Sequence, residues 1–561
     1  MCGITGYWDK RGADARIAES MAMRLQHRGP DDAGVWLDET GNLALAHRRL
    51  AVIDCSPAGH QPMISPCGRF TLVFNGEIYN HRELRTELEA EGGHFDWRGH
   101  SDTETLLAAL RHLGVEACLR KLNGMFAFAL WDQSQRRLVL ARDRMGEKPL
   151  YYGRNGDVFF FGSELKSFTA HPLWIGDIDR DALALYMRHS YVPAPHSIYQ
   201  GIKKLSPAHF IVVGDSGKIE VAEPRCYWNL KTIAENAVVN DQASPGVLVD
   251  ELDTLLRDSV AMRMVADVPL GALLSGGIDS TLVTAAMQAQ SREKIKTFTI
   301  GFGEKDYNEA EHAQAVAQYL GTEHTELYVT PGEAMAAIER LPNIWDEPFS
   351  DSSQIPTLLI SQLARKNVTV SLSGDGGDEL FYGYKRYVAG LAFWQKLRRV
   401  PASLRPALGR LLECAPGTSL ERLMQRLPER FSVPHLADRL PKLAEVAKAK
   451  SPEAYYQGLM SQWPDPQALV PGSVEPLTLF NNRDFAKGSA GMSEYMMLLD
   501  SLTYLPDDIL TKVDRASMST SLEMRVPLLD HRIVEYSWTV PMSMKSRDGQ
   551  GKWLLRELLG R

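Results

Sequence analysis

The residue with the greatest chemical potential stands second in the chain, which begins Met-Cys-Gly-Ile-Thr-Gly. If Met1 is removed, Cys2 becomes the first residue and carries both a thiol and a free α-amine. That amine has an ordinary pKa of about 7.7–8.0, so it can accept a proton near neutral pH. A nucleophile with its own built-in base is one route to covalent catalysis. A cysteine could also stand there by chance, and Cys2 alone does not decide between these interpretations.

A second feature is the turn at residues 275–280, Ser-Gly-Gly-Ile-Asp-Ser, which follows an apolar stretch and precedes a helical pattern. Two glycines allow a tight turn whose backbone N–H groups stay uncovered. Ser280 suits a helix start, where free N–H groups and the helix dipole favour an anion. The turn lacks the Gly-x-x-x-x-Gly-Lys-Ser/Thr pattern of the common phosphate loop. The order strand, loop, helix therefore predicts a phosphate-binding loop of another type.

A third feature is the acidic turn at residues 373–379, Ser-Gly-Asp-Gly-Gly-Asp-Glu, which follows the apolar stretch Val-Thr-Val-Ser-Leu. Parallel sheets bind their ligands at the carboxyl ends of strands, which is where this turn would lie. Clustered carboxylates beside a phosphate site favour Mg²⁺, which prefers oxygen ligands. The alternative is a solvated acidic turn that caps the next helix.

Composition limits the class of protein. A chain of 561 residues is too long for one ordinary core and predicts two or three domains. The net charge of −8 argues against nucleic acid or an anionic membrane as the main partner. No apolar run reaches the roughly 18–20 residues of a membrane span, and the start lacks the layout of a signal peptide. Six scattered cysteines without a C-x-x-C pair predict a reducing, cytoplasmic location and no structural zinc site.

The elements that must position these residues differ between the two parts of the chain. The first third reads as short strands, among them GITGYW, FTLVFNGEIYN and MFAFALWD, with helices at HRELRTELEAEG and TETLLAALRHLG. This pattern predicts an α+β domain. The polar stretch KTIAENAVVNDQASPG predicts a linker. Strands and helices then alternate, including a helix at DELFYGYKRYV, which predicts a parallel sheet followed from about residue 385 by a mostly helical part.

Several motifs together resemble one family. MCGITG, HRGPDD, HRRLAVID, FNGEIYN and SDTE, joined to LLSGGIDS, SLSGDGGDEL and VDRASMSTSLEMRVPLLD, are similar to the glutamine-hydrolysing asparagine synthetases over nearly the whole chain. The resemblance implies a class II glutamine amidotransferase domain at residues 1–215, an αββα sandwich of the N-terminal nucleophile hydrolase type. A linker at 216–245 and an α/β ATP pyrophosphatase-like domain with a helical C-terminal part at 246–561 would follow.

The resemblance also implies roles in a glutamine site. Cys2 would be the nucleophile that forms a thioester and releases ammonia, and the Asn75 side chain and Gly76 N–H would form the oxyanion hole. Arg49 would bind the glutamine α-carboxylate, a bidentate task suited to guanidinium. Glu77 and Asp102 would hold the α-ammonium.

For the second site, the resemblance implies two groups of residues and one lysine. The nucleotide would be bound by Leu274, Ser275, Gly276, Gly277, Asp279, Ser280, Ile300, Ser373 and Gly374. Asp279 and Asp378 would bind Mg²⁺, and Asp375 and Asp378 would surround an acyl-adenylate. Lys552 would stabilise charge during the reaction, although it could also be a solvated helix lysine. Asp346 and Glu347 are expected to line the same cleft.

The implied reaction is adenylation of a carboxylate by ATP with Mg²⁺, followed by attack of ammonia and release of AMP. The expected partners are the small molecules glutamine, ATP and aspartate, and a homodimer is the suggested assembly. An apolar path between the domains would carry ammonia. Asp375 stands where many members have Glu, and members commonly continue beyond the position of Arg561, so a truncated form would anchor Lys552 less firmly.

Two alternatives stay open on sequence alone. The same mechanism could amidate another carboxylate, such as a sugar acid or a peptide-like metabolite. A protein of another class, a silent binding or regulatory relative, could retain the fold. The presence of Cys2, Asn75, Asp279 and Lys552 together argues against a silent relative.

Overall fold

A computed structural model describes residues 2–92, 95–215, 218–303, 309–414, 436–482, 485 and 491–561. Met1, which would have to be removed to expose Cys2, and residues 216–217 of the predicted linker lie outside these residues. Among the described helices, none is both long enough and apolar enough to cross a membrane.

Residues 2–226, which we name the two-sheet region, contain two antiparallel sheets. The first consists of β1 (Gly3–Trp8), β2 (Asp32–Leu37), β3 (Leu43–Arg49), β8 (Tyr151–Asn155), β9 (Val158–Gly162) and β10 (Ile202–Lys204). The second consists of β4 (Met63–Ile64), β5 (Phe70–Ile78), β6 (Gly124–Asp132), β7 (Arg137–Arg142), β11 (His209–Asp215), β12 (Ile219–Val221) and β13 (Arg225–Cys226). Their orders are β10-β8-β9-β1-β3-β2 and β12-β11-β7-β6-β5-β4, with β13 beside β11.

The two sheets face each other across an apolar core. Trp8 of β1 and Trp131 of β6 meet edge to face in this core, with ring centroids 5.1 Å apart. Helix α1 (Ala15–Met23) covers the outer face of the first sheet. Helices α2 (His81–Ala90), α3 (Asp102–Leu113) and α4 (Val115–Lys121) cover the outer face of the second. The predicted αββα sandwich is confirmed.

Residues 245–561, which we name the parallel-sheet region, are built on one sheet. It consists of β14 (Leu270–Leu273), β15 (Lys296–Phe302), β16 (Glu323–Val329), β17 (Val370–Leu372) and β18 (Glu523–Arg525), all parallel, in the order β16-β15-β14-β17-β18. The order reverses at β14, and open sheets of this kind bind ligands at such a switch point. The predicted parallel sheet is confirmed.

The other described α-helices come after β9 in the chain, and all except α5 and α6 belong to the parallel-sheet region. They are α5 (Arg180–His189), α6 (Leu230–Asn236), α7 (Pro245–Arg263), α8 (Ile278–Gln290), α9 (Ala310–Leu320), α10 (Pro331–Ile338), α11 (Leu341–Trp345), α12 (Gln354–Arg365), α13 (Gly377–Leu380), α14 (Lys385–Leu397), α15 (Arg405–Cys414), α16 (Leu436–Ala447), α17 (Pro452–Met460), α18 (Pro466–Leu469), α19 (Met492–Leu502), α20 (Leu510–Met518), α21 (His531–Thr539), α22 (Met542–Lys545) and α23 (Trp553–Leu559). A short hairpin of β19 (Ser546–Arg547) and β20 (Gln550–Gly551) precedes α23.

Two predictions about local structure need correction. The single helix expected at residues 378–388 is broken, because α13 ends before Gly383 and α14 begins after it. A Cβ at Gly383 would lie 2.0 Å from Asp378 Oδ1 and 2.1 Å from Lys552 Cε, so this close approach requires glycine. The predicted linker is also not a plain loop in its described part, since it contains β12, β13 and α6.

Candidate active sites and family

Cys2 lies directly before β1, beside the end of β3. Its backbone N–H donates to Asn75 Oδ1 at 3.0 Å, and its Sγ lies 3.9 Å from the Leu50 carbonyl oxygen. Arg28 Nε donates to the Cys2 carbonyl oxygen at 3.0 Å. Burial raises the pKa of the Cys2 thiol to about 11, although Leu50 and the Arg49 cation oppose this rise. The thiol is therefore protonated at neutral pH in this state, and a base must remove its proton before it can act as a nucleophile.

Asn75 and Gly76 lie within β5, opposite Cys2. The Asn75 side chain is fully buried, and its Nδ2 has no hydrogen-bond partner among the described residues. Gly76 packs against β6 so closely that a Cβ there would lie 2.1 Å from the Met125 carbonyl oxygen. A buried donor without a partner carries a large cost unless a ligand satisfies it. Asn75 Nδ2 is thus a donor that a ligand bound beside Cys2 could satisfy.

Charged side chains flank this pair. Arg49 Nη1 donates to the Ser56 carbonyl oxygen at 3.0 Å, and Nη2 donates to the carbonyl oxygen of Asp54. Glu77 and Asp102 are buried, and burial raises the pKa of both carboxyl groups. Each of these predicted glutamine-site residues therefore sits on an element that adjoins Cys2 or Asn75.

Arg28 has a place at this site that the sequence did not reveal. Besides its bond to Cys2, its guanidinium binds Asp514 of α20 through two bonds of 2.8 and 3.0 Å. It also donates to Glu164 at 2.7 Å. The motif HRGPDD contains Arg28, but it could not indicate the contact, because the partner carboxylate of Asp514 is 486 positions away.

The second site begins with the loop at the end of β14. Ser275 Oγ and Ser280 Oγ lie 3.0 Å apart, and the Ser275 backbone N–H donates to Ser280 Oγ at 3.2 Å. Gly276 has a φ of +75°, and a Cβ there would lie 2.8 Å from the Ala313 nitrogen. Gly277 precedes α8 and offers no side-chain cap. The first N–H groups of α8 are therefore available to an anion.

The loop that follows β17 packs directly on this first loop. A Cβ at Gly374 would lie 2.5 Å from the Ser280 nitrogen. A Cβ at Gly377 would lie 2.5 Å from Asp279 Cγ. Ser373 Oγ donates to Asp375 Oδ2 at 2.8 Å. Glycine is required at Gly374, where the facing atoms include backbone, whereas a methyl group at Gly377 would displace the Asp279 carboxylate.

Lys552 joins both loops. Its Nζ lies 2.5 Å from Asp279 Oδ2 and 2.7 Å from Asp378 Oδ1. Burial raises the pKa of Asp279 to about 6, although Lys552 opposes this rise. Burial alone would lower the pKa of Lys552, but the two carboxylates raise it above its ordinary value. The alternative of a solvated helix lysine is wrong, since Lys552 is mostly buried and paired.

These loops border a cleft of about 1130 Å³ at the switch point of the sheet. Gly276 packs against His312 and Ala313 of α9. The other predicted nucleotide and acyl-adenylate residues line the cleft. They are Leu274, Ser275, Gly277, Asp279, Ser280, Ile300, Ser373, Gly374, Asp375 and Asp378, with Lys552 beside them. The structure thus brings together residues that are separated by almost 280 positions.

The predicted Mg²⁺ ligands provide part of a donor set. Asp279 Oδ1 is buried and has no hydrogen-bond partner among the described residues. Asp378 is the second carboxylate at this point. No cluster of three or more His, Cys, Asp or Glu suited to a metal occurs in the described part of the chain. The residues therefore fit Mg²⁺ that takes its other ligands from phosphate oxygens and water.

A polar cluster of Asp351, Ser353 and Lys512 also lines the cleft, and the sequence did not predict it. Lys512 Nζ donates to Ser353 Oγ at 2.7 Å and to Asp351 Oδ2 at 3.2 Å. Burial and the neighbouring Asp351 raise the pKa of Asp508 to about 8. The motif that begins at Val513 starts one residue after Lys512, so the motif did not indicate this lysine.

Asp346 and Glu347 were predicted to line this cleft, and that prediction is wrong. Asp346 has a φ of +64°, and the side chains of Asp346 and Glu347 face the two-sheet region. Asp346 pairs with Lys166 at 3.1 Å, and Glu347 pairs with Lys204 at 2.6 Å. Together with the bonds of Arg28 and an ion pair of 2.9 Å between Arg515 and Glu164, they form buried charge pairs between the regions.

Comparison with known proteins agrees with this arrangement. The family model described as glutamine amidotransferase domain matches residues 1–228, and the one described as asparagine synthase matches residues 251–561. A Bacillus subtilis protein named asparagine synthetase (glutamine-hydrolyzing) 1 is 34% identical, over 99% of this chain and 84% of the relative.

Two further relatives cover similar shares of both chains. A Mycobacterium tuberculosis protein named putative asparagine synthetase (glutamine-hydrolyzing) is 33% identical, over 100% of this chain and 85% of the relative. A Gibberella zeae protein named amidase chry2 is 26% identical, over 98% and 84%. With both family domains and this identity over nearly its whole length, the chain belongs to the glutamine-hydrolysing asparagine synthetases, which are ATP-dependent ligases.

Proposed function

We propose that this chain converts aspartate to asparagine, with glutamine as the source of ammonia and ATP as the activating substrate. The observation that carries the ATP-dependent half is Lys552, which joins two glycine-rich loops through Asp279 and Asp378 at the switch point of a parallel sheet. The names of the relatives support aspartate as the acceptor.

In the first half-reaction, the Cys2 thiolate attacks the amide carbon of glutamine. After removal of Met1, the α-amine of Cys2 takes the proton of the thiol. Asn75 Nδ2 and the Gly76 N–H donate to the oxyanion that forms, since the Asn75 donor is buried without a partner among the described residues. Ammonia leaves, and water hydrolyses the thioester to glutamate.

The charged side chains around Cys2 would recognise the glutamine backbone. Arg49 binds the α-carboxylate, for which a guanidinium is suited. Glu77 and Asp102 bind the α-ammonium, because two buried carboxylates favour a cation between them.

In the second half-reaction, the aspartate carboxylate attacks the α-phosphorus of ATP and pyrophosphate leaves. The N–H groups at the start of α8, with the loop at 275–280, bind the pyrophosphate. Lys552 balances the charge that develops, and Asp375 and Asp378 adjoin the aspartyl-adenylate. Asp279 and Asp378 would hold Mg²⁺, which would neutralise phosphate charge. Ammonia then attacks the acyl carbon and AMP leaves.

Ammonia must travel between the two sites without becoming protonated in water. Leu50, which adjoins Cys2, belongs to one apolar cluster with Met125, Met145 and Leu510. The same cluster reaches Ile509, which lines the cleft. We place the predicted apolar path among these residues. Domain boundaries at 215 and 246, a homodimer and a cytoplasmic location stay predictions of the sequence.

The test is a product assay with glutamine, ATP, Mg²⁺ and aspartate, in which glutamate, AMP, pyrophosphate and asparagine are all measured. Equal amounts of AMP and asparagine are the expected result. Glutamate release without AMP or asparagine would mean that either the acceptor is not aspartate or the synthetase half is inactive. A screen of other carboxylates, including amino-acid and peptide-like acids, would then identify the acceptor.

A further inference from the structure

Arg525 carries a buried guanidinium at the border between the parallel-sheet region and the glutamine site. It ends β18, the edge strand of the parallel sheet. Its Nη1 donates to the carbonyl oxygens of Arg263 and Val265, each at 2.7 Å. Its Nε donates to Glu523 Oε1 at 2.7 Å. Three bonds in different directions fix the plane of this guanidinium.

The remaining nitrogen of Arg525 faces Glu77. Arg525 Nη2 lies 3.7 Å from Glu77 Oε1 and has no hydrogen-bond partner among the described residues. The Arg525 guanidinium carbon lies 5.8 Å from the ring centroid of Tyr79, two positions beyond Glu77. Arg525 is fully buried and Glu77 is 5% exposed. A buried carboxylate is costly unless a cation lies nearby. For Glu77 Oε1 that cation is Arg525, which belongs to the parallel-sheet region.

We propose that Arg525 is a positioning residue of the glutamine site, which acts by orienting Glu77 and balancing its charge. The proposal rests on the proposed role of Glu77 in holding the glutamine α-ammonium. It also means that the glutamine site is completed by a residue from the region that binds the nucleotide. Its expected signature is weaker glutamine binding with little change in ammonia-dependent synthesis.

The main chain of Arg525 has a separate task. Its carbonyl oxygen accepts a hydrogen bond of 3.0 Å from the Ser373 N–H, at the start of the second glycine-rich loop. That bond is made by the backbone, so replacement of the side chain leaves it in place. Ammonia-dependent synthesis therefore separates the side-chain role from damage to the nucleotide site.

The test compares Arg525→Gln, Arg525→Lys and Glu77→Gln with the unchanged enzyme, by kinetics of glutamate release over a range of glutamine concentrations. Arg525→Gln should raise the glutamine KM about tenfold, because a charge-assisted contact to Glu77 is lost. Arg525→Lys should raise it less, because the charge remains. Rates with saturating ammonia should stay within about twofold in both variants.

A double variant distinguishes positioning from a merely structural role. If Arg525 acts through Glu77, Arg525→Gln should add little to the KM of Glu77→Gln. Arg405→Lys is the matched control, since Arg405 is another buried arginine that donates to two carbonyl oxygens, those of Val400 and Ala449, each at 3.0 Å. Its glutamine KM should change by less than about twofold.

Three results would overturn the proposal: an unchanged glutamine KM in Arg525→Gln, additive effects in the double variant, or an equal loss of ammonia-dependent synthesis. Failure of the proposed function would give a different result. In that case the unchanged enzyme would not release glutamate from glutamine in a reaction that requires Cys2.

Discussion

Lys552 Nζ lies 2.5 Å from Asp279 Oδ2, although the two residues stand 273 positions apart in the chain. Lys552 directly follows the hairpin of β19 and β20 and has a φ of +59°. Gly383 and Gly551 lack side chains and so leave room for this segment to approach the loops. A cation held between the two glycine-rich loops is a preorganised charge, and such charges can contribute strongly to catalysis. The second site is therefore assembled from three distant segments.

Replacement of Lys552 by alanine should abolish activation of the acceptor. Without the cation, Asp279 and Asp378 repel each other and the phosphates. AMP formation with ammonia as nitrogen donor should fall by about 100-fold or more, while glutamate release continues. Lys448→Ala, which removes a lysine paired at the surface with Glu413 and Glu445, is the control. Normal AMP formation in Lys552→Ala would contradict the assigned role.

Replacement of Cys2 by alanine should separate the two half-reactions. Glutamine-dependent asparagine formation should be lost, because no nucleophile remains to form the thioester. Synthesis with added ammonia should persist within about threefold, since the cleft is unchanged. Cys67→Ala removes an exposed cysteine and should leave both activities intact. Retained use of glutamine by Cys2→Ala would identify another nucleophile.

A methyl group at Gly374 should damage the nucleotide site alone. Its Cβ would lie 2.5 Å from the Ser280 nitrogen and 2.7 Å from the Asp279 carbonyl carbon, so one backbone must move. We expect Gly374→Ala to lower AMP formation by about 100-fold, because a small displacement of positioned groups is costly. At Gly332 the nearest atom to a Cβ is 4.0 Å away, so Gly332→Ala is the matched control. Equal AMP formation in both variants would disprove the tight contact.

Asp508 gives a prediction for the pH dependence of stability. Its pKa is raised to about 8 in the folded chain, above the value of about 3.9 for an unfolded aspartate. Between these values only the unfolded chain loses the proton, so this residue lowers stability as the pH rises. Asparagine stays neutral and can still donate to Asp351. Asp508→Asn should therefore raise the melting temperature by about 2 °C or more at pH 8, and by less at pH 5.

The control for this prediction is Asp241→Asn, which changes an exposed aspartate. Its melting temperature should follow that of the unchanged protein at both pH values. An Asp508→Asn protein that gains equal stability at pH 5 and pH 8 would show that the carboxyl of Asp508 does not titrate in this range.

The parts of the sites that could be predicted are those made from consecutive residues. The loop at 275–280 and the turn at 373–379 carry their chemistry in local spacing, and the strands before them have a clear apolar pattern. Lys552 entered only through the resemblance, since a single lysine in a helical pattern has no local signature. The structure places it at the contact of both loops.

The parts that could not be predicted depend on distant partners. Arg28 meets Asp514 only after the two regions fold against each other, and Lys512 meets Asp351 only after the parallel-sheet region has folded. Asp346 and Glu347, in the stretch WDEPFSDSS, were expected to line the cleft. Ion pairs with Lys166 and Lys204, which stand far away in the sequence, hold the two carboxylates at the border instead.

The buried charge pairs at that border restrict how the chain can change during evolution. Arg28 depends on Asp514, Glu164 on Arg515, and Glu347 on Lys204, so each region holds ions whose partners the other supplies. Loss of one partner from a buried pair costs about 3–5 kcal/mol. A recombination event that exchanged one region for that of a distant relative would break several pairs at once. The two regions must therefore be inherited together, or exchanged only between lineages that share the same charges.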